Sequence, residues 1–168
     1  MYRGSFWLFI LAESFGFVTL FSVRFLAAGT GHPPELNVGL GGAITVLLGA
    51  SAGSAVRGLR AVRAGDGAVA AWLSAALALG VVALGIVVGD WMTTTLDPAS
   101  RFGGAYLATT GFHAIHIVVG LIFLAALRAS GRRGRFSPEN HWLVEAGVRF
   151  WLFVVAAWLA LYVVFFWL

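Results

Sequence analysis

Five long apolar stretches separated by short polar segments constrain the fold of this chain more than any other feature of its sequence. They cover residues 6–28, 38–56, 68–89, 102–127 and 142–166. Each is close to the length of about 20 apolar residues that a helix needs to cross a bilayer. A water-soluble domain of 168 residues could not bury a composition that is 60% hydrophobic and 11% charged. We therefore predict an all-α polytopic membrane bundle of five transmembrane helices, joined by short loops into a single domain over residues 1–168.

The placement of arginine predicts the orientation of this bundle. All eleven basic residues are arginines, and most lie in the N-terminal tail and in the segments after the second and fourth stretches. Positive residues concentrate in cytoplasmic loops, so we expect a cytoplasmic N-terminus and a periplasmic C-terminus. The residues on the predicted cytoplasmic side are Arg3, Arg57, Arg60, Arg63, Arg128, Arg132, Arg133 and Arg135. The opposite side has Arg24 and Arg101.

Composition also excludes several classes of function. The chain has no cysteine, which rules out disulfides, thiolate metal sites and covalent c-type haem attachment. The net charge of +4 arises from a few arginines in the predicted loops, a distribution that does not indicate a nucleic-acid partner. We find no phosphate-binding loop, nucleophile elbow or zinc-helix motif, and we assign no catalytic residue.

Three ionisable residues lie deep within the apolar stretches. Glu13 is about two turns into the first stretch, and His113 and His116 are near the middle of the fourth. Ionisable groups at membrane depth are costly, and they indicate a function unless a partner satisfies them. A proton relay, a lipid-headgroup contact and an anchor between helices all remain open for Glu13. Adjacent antiparallel helices would bring Glu13 within reach of His116, so a buried Glu–His hydrogen bond is one expectation.

A haem or metal site would need more ligands than these. Two histidines three residues apart on one helix cannot supply opposite axial ligands to a haem. The remaining histidines, His32 and His141, fall in predicted loops on opposite sides. We therefore predict no cofactor or metal in this chain, and an autonomous haem or metal protein that uses His113 and His116 is the less favoured alternative.

Further charged residues lie near the ends of the stretches. Glu145 and Arg149 are four residues apart, the spacing of a favourable helical ion pair, and they are expected to set the depth of the fifth helix. Asp90 ends the third stretch and is expected at the membrane interface. Ser137 and Pro138 match an N-cap and a first helical position, which predicts that the fifth helix begins before the membrane.

Glycines in the second and third stretches predict close packing between helices. Small residues let helix backbones approach each other in a membrane. The glycines concerned are Gly39, Gly41, Gly42, Gly49, Gly53, Gly80 and Gly85.

Several of these segments together resemble the cytochrome c oxidase subunit 3 family, subunit III of the haem–copper oxidases, in a short five-helix form. The most specific is Thr110-Gly-Phe-His-Ala-Ile-His116, which is similar to the family's TGFHGLH. The segment Phe6-Trp-Leu-Phe-Ile-Leu-Ala-Glu13 resembles the family's opening WLFILSE with its buried glutamate. Pro33 to Asn37, Asp90 with Trp91, and Glu145 onwards follow in the family's order.

The resemblance implies a non-catalytic accessory subunit of a respiratory terminal oxidase in a bacterial or archaeal plasma membrane. Such a subunit packs beside the catalytic subunit I and other subunits, which hold the haem and copper. It also holds phospholipids and supports proton uptake. The residues expected to matter are Glu13, Asp90, His113, His116, Glu145 and Arg149.

The last helix departs from the family pattern. Leu152 and Val155 stand where the family usually has a histidine and an aspartate, and Arg149 replaces a tryptophan. The departure makes an accessory subunit of a related nitric oxide reductase an alternative. A small transporter is disfavoured, because the chain lacks an inverted repeat and a clustered polar pathway.

Overall fold

The protein consists of five long helices connected by short segments. The structure, a computed structural model, describes the backbone of residues 2–31 and 33–168 and the side chains of residues 4–31 and 33–168. The helices are α1 (Tyr2–Ala28), α2 (Val38–Arg63), α3 (Val69–Thr93), α4 (Arg101–Arg132) and α5 (Trp142–Phe166). All five are long and apolar enough to cross a membrane, which agrees with the predicted all-α, five-span architecture.

Local sequence signals set several of the helix ends. The side chain of Asn37 accepts a hydrogen bond from the Leu40 amide and begins α2, and Ser100 does the same for α4 through the Gly103 amide. Gly65 and Gly134 follow α2 and α4 with φ values of 70° and 64°. Glycine adopts this left-handed conformation without steric cost, so each helix stops there in a Schellman-type turn.

Three predicted helix boundaries were wrong. Residues 57–63 and 128–132, expected in loops, extend α2 and α4 instead. Arginine is a good helix former, and its charge is favourable near a helix C-terminus, so the helices continue past the apolar stretch. Helix α5 begins at Trp142 and not at Ser137. The Ser137 hydroxyl bonds Glu139 at 2.9 Å within a local turn, and it therefore does not cap α5.

Helices α2, α3, α4 and α5 form a closed ring in which each packs against its two neighbours, while α1 lies outside the ring against α4 and α5. In the described part of the chain α1 has no packing contact with α2 or α3, although α2 follows it directly. The two loops 64–68 and 133–141 meet at one end, where Pro138 lies beside Gly65. We call this the arginine-rich end.

Trp151 occupies the centre of the ring and is fully buried. Its indole N–H donates to the Ser51 hydroxyl at 3.0 Å, and that hydroxyl donates to the Ala76 carbonyl at 2.6 Å. A Cβ placed on Gly80 or Gly120 would lie within 3 Å of the Trp151 ring. One tryptophan thus joins all four helices of the ring, because glycines on two of them leave room for its rings.

The predicted role of the glycines is therefore correct at only some positions. A Cβ on Gly41 would lie 2.6 Å from the Tyr162 ring, so this glycine allows α2 and α5 to approach closely. A Cβ added to Gly49, Gly53 or Gly85 would have no described atom of another helix within 4 Å, so these glycines do not serve packing within the chain. They lie on outward faces of their helices, which the sequence pattern alone did not distinguish.

Candidate functional site

The crossing of α1 and α4 brings Glu13 and His116 together. The His116 Nε2 atom lies 3.0 Å from Glu13 Oε2, so the contact expected between these residues is present. Gly16 makes the crossing possible, because a Cβ at that position would lie 2.9 Å from the Phe112 ring. Phe17 packs its ring 5.1 Å from that of His116 and covers the pair from α1.

The hydrogen bonds of His116 determine how many protons the pair holds. The Nδ1 atom lies 2.8 Å from the Phe112 carbonyl oxygen, which can only accept, so Nδ1 carries a hydrogen and donates it. The hydrogen bond between Nε2 and Glu13 then needs one further proton, located on either the imidazole or the carboxyl group. Glu13 and His116 therefore share one proton and form a pair with no net charge.

The pair is not sealed from the outside of the chain. The Glu13 side chain is 30% exposed, whereas that of His116 is 8% exposed. The carboxyl group thus lies at the outer edge of the α1–α4 contact, with the histidine behind it.

His113 has a different environment from His116. It is fully buried, with its ring 5.5 Å from that of Trp158 and 6.0 Å from that of Phe17. Neither ring nitrogen has a hydrogen-bond partner among the described residues. Among the described residues, the contacts of the His113 ring are therefore aromatic.

Asp90 connects α3 to α4 at the end opposite the arginines. The Tyr106 hydroxyl donates to its carboxylate at 2.7 Å, and one residue further on the indole N–H of Trp91 donates to the Thr110 hydroxyl at 3.0 Å. The partly buried position of Asp90 and its neutral donor indicate a structural link between the two helices.

Glu145 lies at the arginine-rich end and contacts three basic groups. Arg149 forms the expected ion pair with it, one turn along α5. Arg63 from α2 approaches to 3.3 Å, and the Nε2 atom of His141 to 3.7 Å. Arg149 also lies over the ring of Trp7 in α1, 5.4 Å from its centroid. The cluster of Arg63, His141, Glu145 and Arg149, which we call the Glu145 cluster, thus links α2 and α5 and touches α1.

Arg24 is a buried functional group that the sequence analysis did not single out. Its guanidinium is enclosed, donates to the carbonyls of Gly29 and Gly31, and lies 4.6 Å from the Phe102 ring centroid. The glycine-rich turn that follows α1 is the signal that could have indicated it, because an arginine one turn before a helix end can reach the carbonyls beyond.

Two histidines and one arginine remain from the sequence analysis. His141 lies at the arginine-rich end beside Glu145, whereas His32 and the side chain of Arg3 fall outside the described residues. Within the part of the chain that the structure describes, no three His, Cys, Asp or Glu side chains come together in a way that could hold a metal ion.

An apolar cleft opens between α1, α4 and α5 near the arginine-rich end. It has a volume of about 390 Å³. Aromatic and aliphatic side chains form most of its wall, among them Phe6, Phe9, Phe123, Leu127, Phe136 and Phe150. The cleft is on the face of α5 opposite Glu145, since Ala146, Gly147 and Phe150 line it.

Comparison with known proteins identifies the family to which these features belong. The profile of the family described as Cytochrome c oxidase subunit III matches residues 2–168. A protein of Synechocystis sp. named cytochrome c oxidase subunit 3 is 29% identical over 165 residues, which cover 93% of this chain and 71% of that protein.

Shorter matches occur to proteins of the same name in Marchantia polymorpha and Gadus morhua. Each is 36% identical over 66 residues, covering 39% of this chain and 25% of the relative. Together with five helices that can cross a membrane, the match along nearly the whole sequence shows that this multi-pass membrane protein belongs to the cytochrome c oxidase subunit III family.

Proposed function

We propose that this chain is a non-catalytic accessory subunit of a respiratory haem–copper terminal oxidase, which stabilises catalytic subunit I, holds phospholipids and supports proton uptake. The family match supports the oxidase assignment. The single observation that carries the more specific role is the Glu13–His116 contact, because it keeps one exchangeable proton at membrane depth. Haem and copper are expected in the partner subunits.

The geometry of the pair supports the proposed proton role. Glu13 is partly exposed on α1, and His116 holds it from inside through a hydrogen bond of 3.0 Å. The pair as a whole takes up or gives up one proton: it is neutral with the shared proton and has a charge of −1 without it, and the exposed edge of Glu13 is where that exchange would take place. The pair is therefore suited to buffering protons near a proton-uptake surface.

Lipid binding is supported by the cleft between α1, α4 and α5. Its volume of about 390 Å³ and its aromatic walls suit an acyl chain, and it opens near the arginine-rich end. An acyl chain bound in this cleft would fill the space between α1 and the four-helix ring.

The location is proposed from charge. Arginines concentrate at one end of the helices, and this end is expected to face the cytoplasm of a bacterium or archaeon. The N-terminus is then cytoplasmic and the C-terminus periplasmic, with residues 1–168 acting as one membrane domain.

A mild-detergent pull-down of the tagged chain tests the proposal, with mass spectrometry of the partners and a reduced-minus-oxidised spectrum. We expect a large haem-bearing subunit to co-purify. The haem absorbance should be lost when that subunit is removed from this chain. Recovery of this chain alone with stoichiometric haem would overturn the proposal. A nitric oxide reductase subunit in place of an oxidase subunit would correct the complex to which the chain belongs.

Variants of Glu13 then separate the proton role from packing. Glu13→Gln can still donate to His116 Nε2 but has no titrating proton, so we expect a stable complex whose turnover declines faster. Glu13→Ala should lose turnover in the same way and also weaken subunit association, without loss of haem from subunit I. Ser22→Ala, an exposed change on the same helix, is the matched control. Unchanged turnover in Glu13→Gln would exclude the proton role.

A further inference from the structure

Among the described residues, His113 is the buried histidine whose ring nitrogens have no hydrogen-bond partner. Its side chain is fully enclosed, and both Nδ1 and Nε2 are unpaired. A neutral imidazole has one N–H donor and one nitrogen that accepts. A buried donor or acceptor without a partner lowers stability, and native structures contain few of them. The unpaired ring therefore indicates a ligand at this position, provided that no neighbouring side chain can serve instead.

The aromatic rings around His113 can satisfy only one of its two nitrogens. The Trp158 ring lies 5.5 Å away and the Phe17 ring 6.0 Å, centroid to centroid. The face of an aromatic ring accepts a weak hydrogen bond from an N–H group, but it cannot donate to the other nitrogen. The indole N–H of Trp158 is a donor, but it is already bonded to the Thr45 hydroxyl at 2.9 Å. The accepting nitrogen of His113 thus has no donor on the aromatic side.

The neighbouring histidine is also fully used. His116 lies 2.8 Å from the Phe112 carbonyl through Nδ1 and 3.0 Å from the Glu13 carboxyl group through Nε2. Both of its nitrogens take part in these hydrogen bonds, so His116 has no donor left for His113. The accepting nitrogen of His113 therefore lacks a donor on this side as well.

Thr109 provides a second polar group next to His113. It is fully buried one turn earlier on α4, so the two side chains lie on the same face of the helix. Helical side chains lean towards the N-terminus of their helix, which directs the His113 ring over the turn that contains Thr109. The Thr109 hydroxyl donates to the Ala105 carbonyl at 2.7 Å, and its oxygen can still accept a hydrogen bond. A molecule that bridges Thr109 and His113 must therefore donate to both.

Water meets these requirements. The ligand needs two donor hydrogens, and it has to be small because His113, Thr109 and Trp158 are enclosed. Buried waters in proteins bond to polar groups that otherwise have no partner. We propose that a buried water molecule binds on the inner face of α4 and donates one hydrogen to the accepting nitrogen of His113 and the other to the Thr109 hydroxyl oxygen. The ring N–H of His113 is then left for an aromatic face.

This water site continues the polar region of α4 beyond the Glu13–His116 pair. His113 is three residues from His116, a rise of about 4.5 Å along the helix, and Thr109 lies one further turn away. The site is separate from the pair, because both nitrogens of His116 are bonded elsewhere. It depends neither on the oxidase assignment nor on the proton role of Glu13, so the full chain is sufficient to test it.

Nuclear magnetic resonance of the full chain in micelles, with isotope-labelled histidine, tests for the water. We expect a cross-peak between a slowly exchanging water and the His113 Hε1 proton, which lies between the two ring nitrogens. The unprotonated ring nitrogen should have the chemical shift of a nitrogen that accepts a hydrogen bond. Loss of these signals in His113→Leu or in His113→Gln identifies them as those of His113. A free-nitrogen shift without a water cross-peak would overturn the proposal.

Thr109→Val removes the second partner of the water and nearly preserves the shape of the side chain. The water cross-peak should fall about fivefold, the change expected for the loss of one hydrogen bond. Thr19→Val is the matched control, because the Thr19 hydroxyl bonds the Phe15 carbonyl four residues earlier but is exposed on α1. This control should leave the cross-peak unchanged. An unchanged cross-peak in Thr109→Val would contradict the proposed site.

The stability of His113→Leu gives a second readout with opposite signs for a wet and a dry site. If the water is bound, leucine removes its hydrogen bond to the ring, and the denaturant midpoint should fall. If the ring is dry, leucine replaces two unpaired nitrogens with an apolar group, and the midpoint should rise. A rise would overturn the proposal. If this variant does not fold, the nitrogen chemical shift of the wild type still decides between the two cases.

Discussion

The four-helix ring and helix α1 are stabilised in different ways. In the most apolar stretch of α4 and of α5 half of the residues are buried, compared with 6% in α1. The ring encloses Trp151 among glycines and bonds its indole to Ser51. Helix α1 contacts the ring over a smaller area, through Glu13 to His116, Gly16 against Phe112, Trp7 to Arg149, and Arg24 over Phe102.

This difference shows how a membrane protein can combine a rigid part with an adjustable one. Between helices in a bilayer, attraction comes from close packing and hydrogen bonds, because lipid is as apolar as the side chains. The ring uses packing, which tolerates little change. Helix α1 has a smaller packed surface and several polar contacts, so a change at one of those polar contacts is expected to alter its position without disturbing the ring.

The largest effect is expected from Trp151→Ala. The substitution removes the side chain that joins all four ring helices and leaves a cavity, so the free energy of unfolding in mixed micelles should fall by about 3–5 kcal/mol. Denaturant titration followed by circular dichroism measures it. If Trp151→Ala lowered the free energy of unfolding less than substitutions in α1 do, the ring would not be the more strongly stabilised region.

A smaller loss in the free energy of unfolding is expected from Gly120→Ala. A Cβ at this position would lie 2.5 Å from the Trp151 ring, and overpacking of this kind costs about 1–3 kcal/mol. Gly111→Ala on the same helix, where no described atom of another helix lies within 4 Å of the added carbon, is the matched control and should be neutral or slightly stabilising. Equal effects at the two sites would mean that close packing around Trp151 does not limit stability.

The smallest effect on stability is expected from Glu13→Ala. Loss of one interhelical hydrogen bond in a membrane costs about 1 kcal/mol, and α1 retains its contacts at both ends. The same denaturant titration should show a small shift, while a fluorescent probe on α1 reports increased mobility of that helix alone. Unfolding of the ring together with α1 would show that the two regions are a single cooperative unit.

The Glu13–His116 contact could be anticipated from the sequence because two ionisable groups at similar depth in antiparallel helices have few other partners. The behaviour of His113 could not be anticipated. It lies three residues from His116 on the same helix, but its face of α4 meets Trp158 and Phe17 instead of a polar group. Helical spacing predicts which residues share a face, and it does not reveal which neighbour that face meets.

The ends of the helices were predicted less well than their centres. Hydropathy located every apolar stretch, but Arg57, Arg60 and Arg63 continue α2 beyond it, because arginine is a good helix former and its charge is favourable near a helix C-terminus. As a result Arg63 reaches Glu145 from a helical position, a contact that a flexible loop would not have defined.

The sequence by itself determined the number of spans, the family and the presence of ionisable groups at depth, because all three depend on composition and local order along the chain. Only the tertiary structure decided that α1 lies outside the ring, that Trp151 is its centre and that three basic groups share Glu145. These features depend on which helices become neighbours. In a bilayer this choice follows from the fit of glycines to large side chains, a property of pairs of surfaces and not of any one segment.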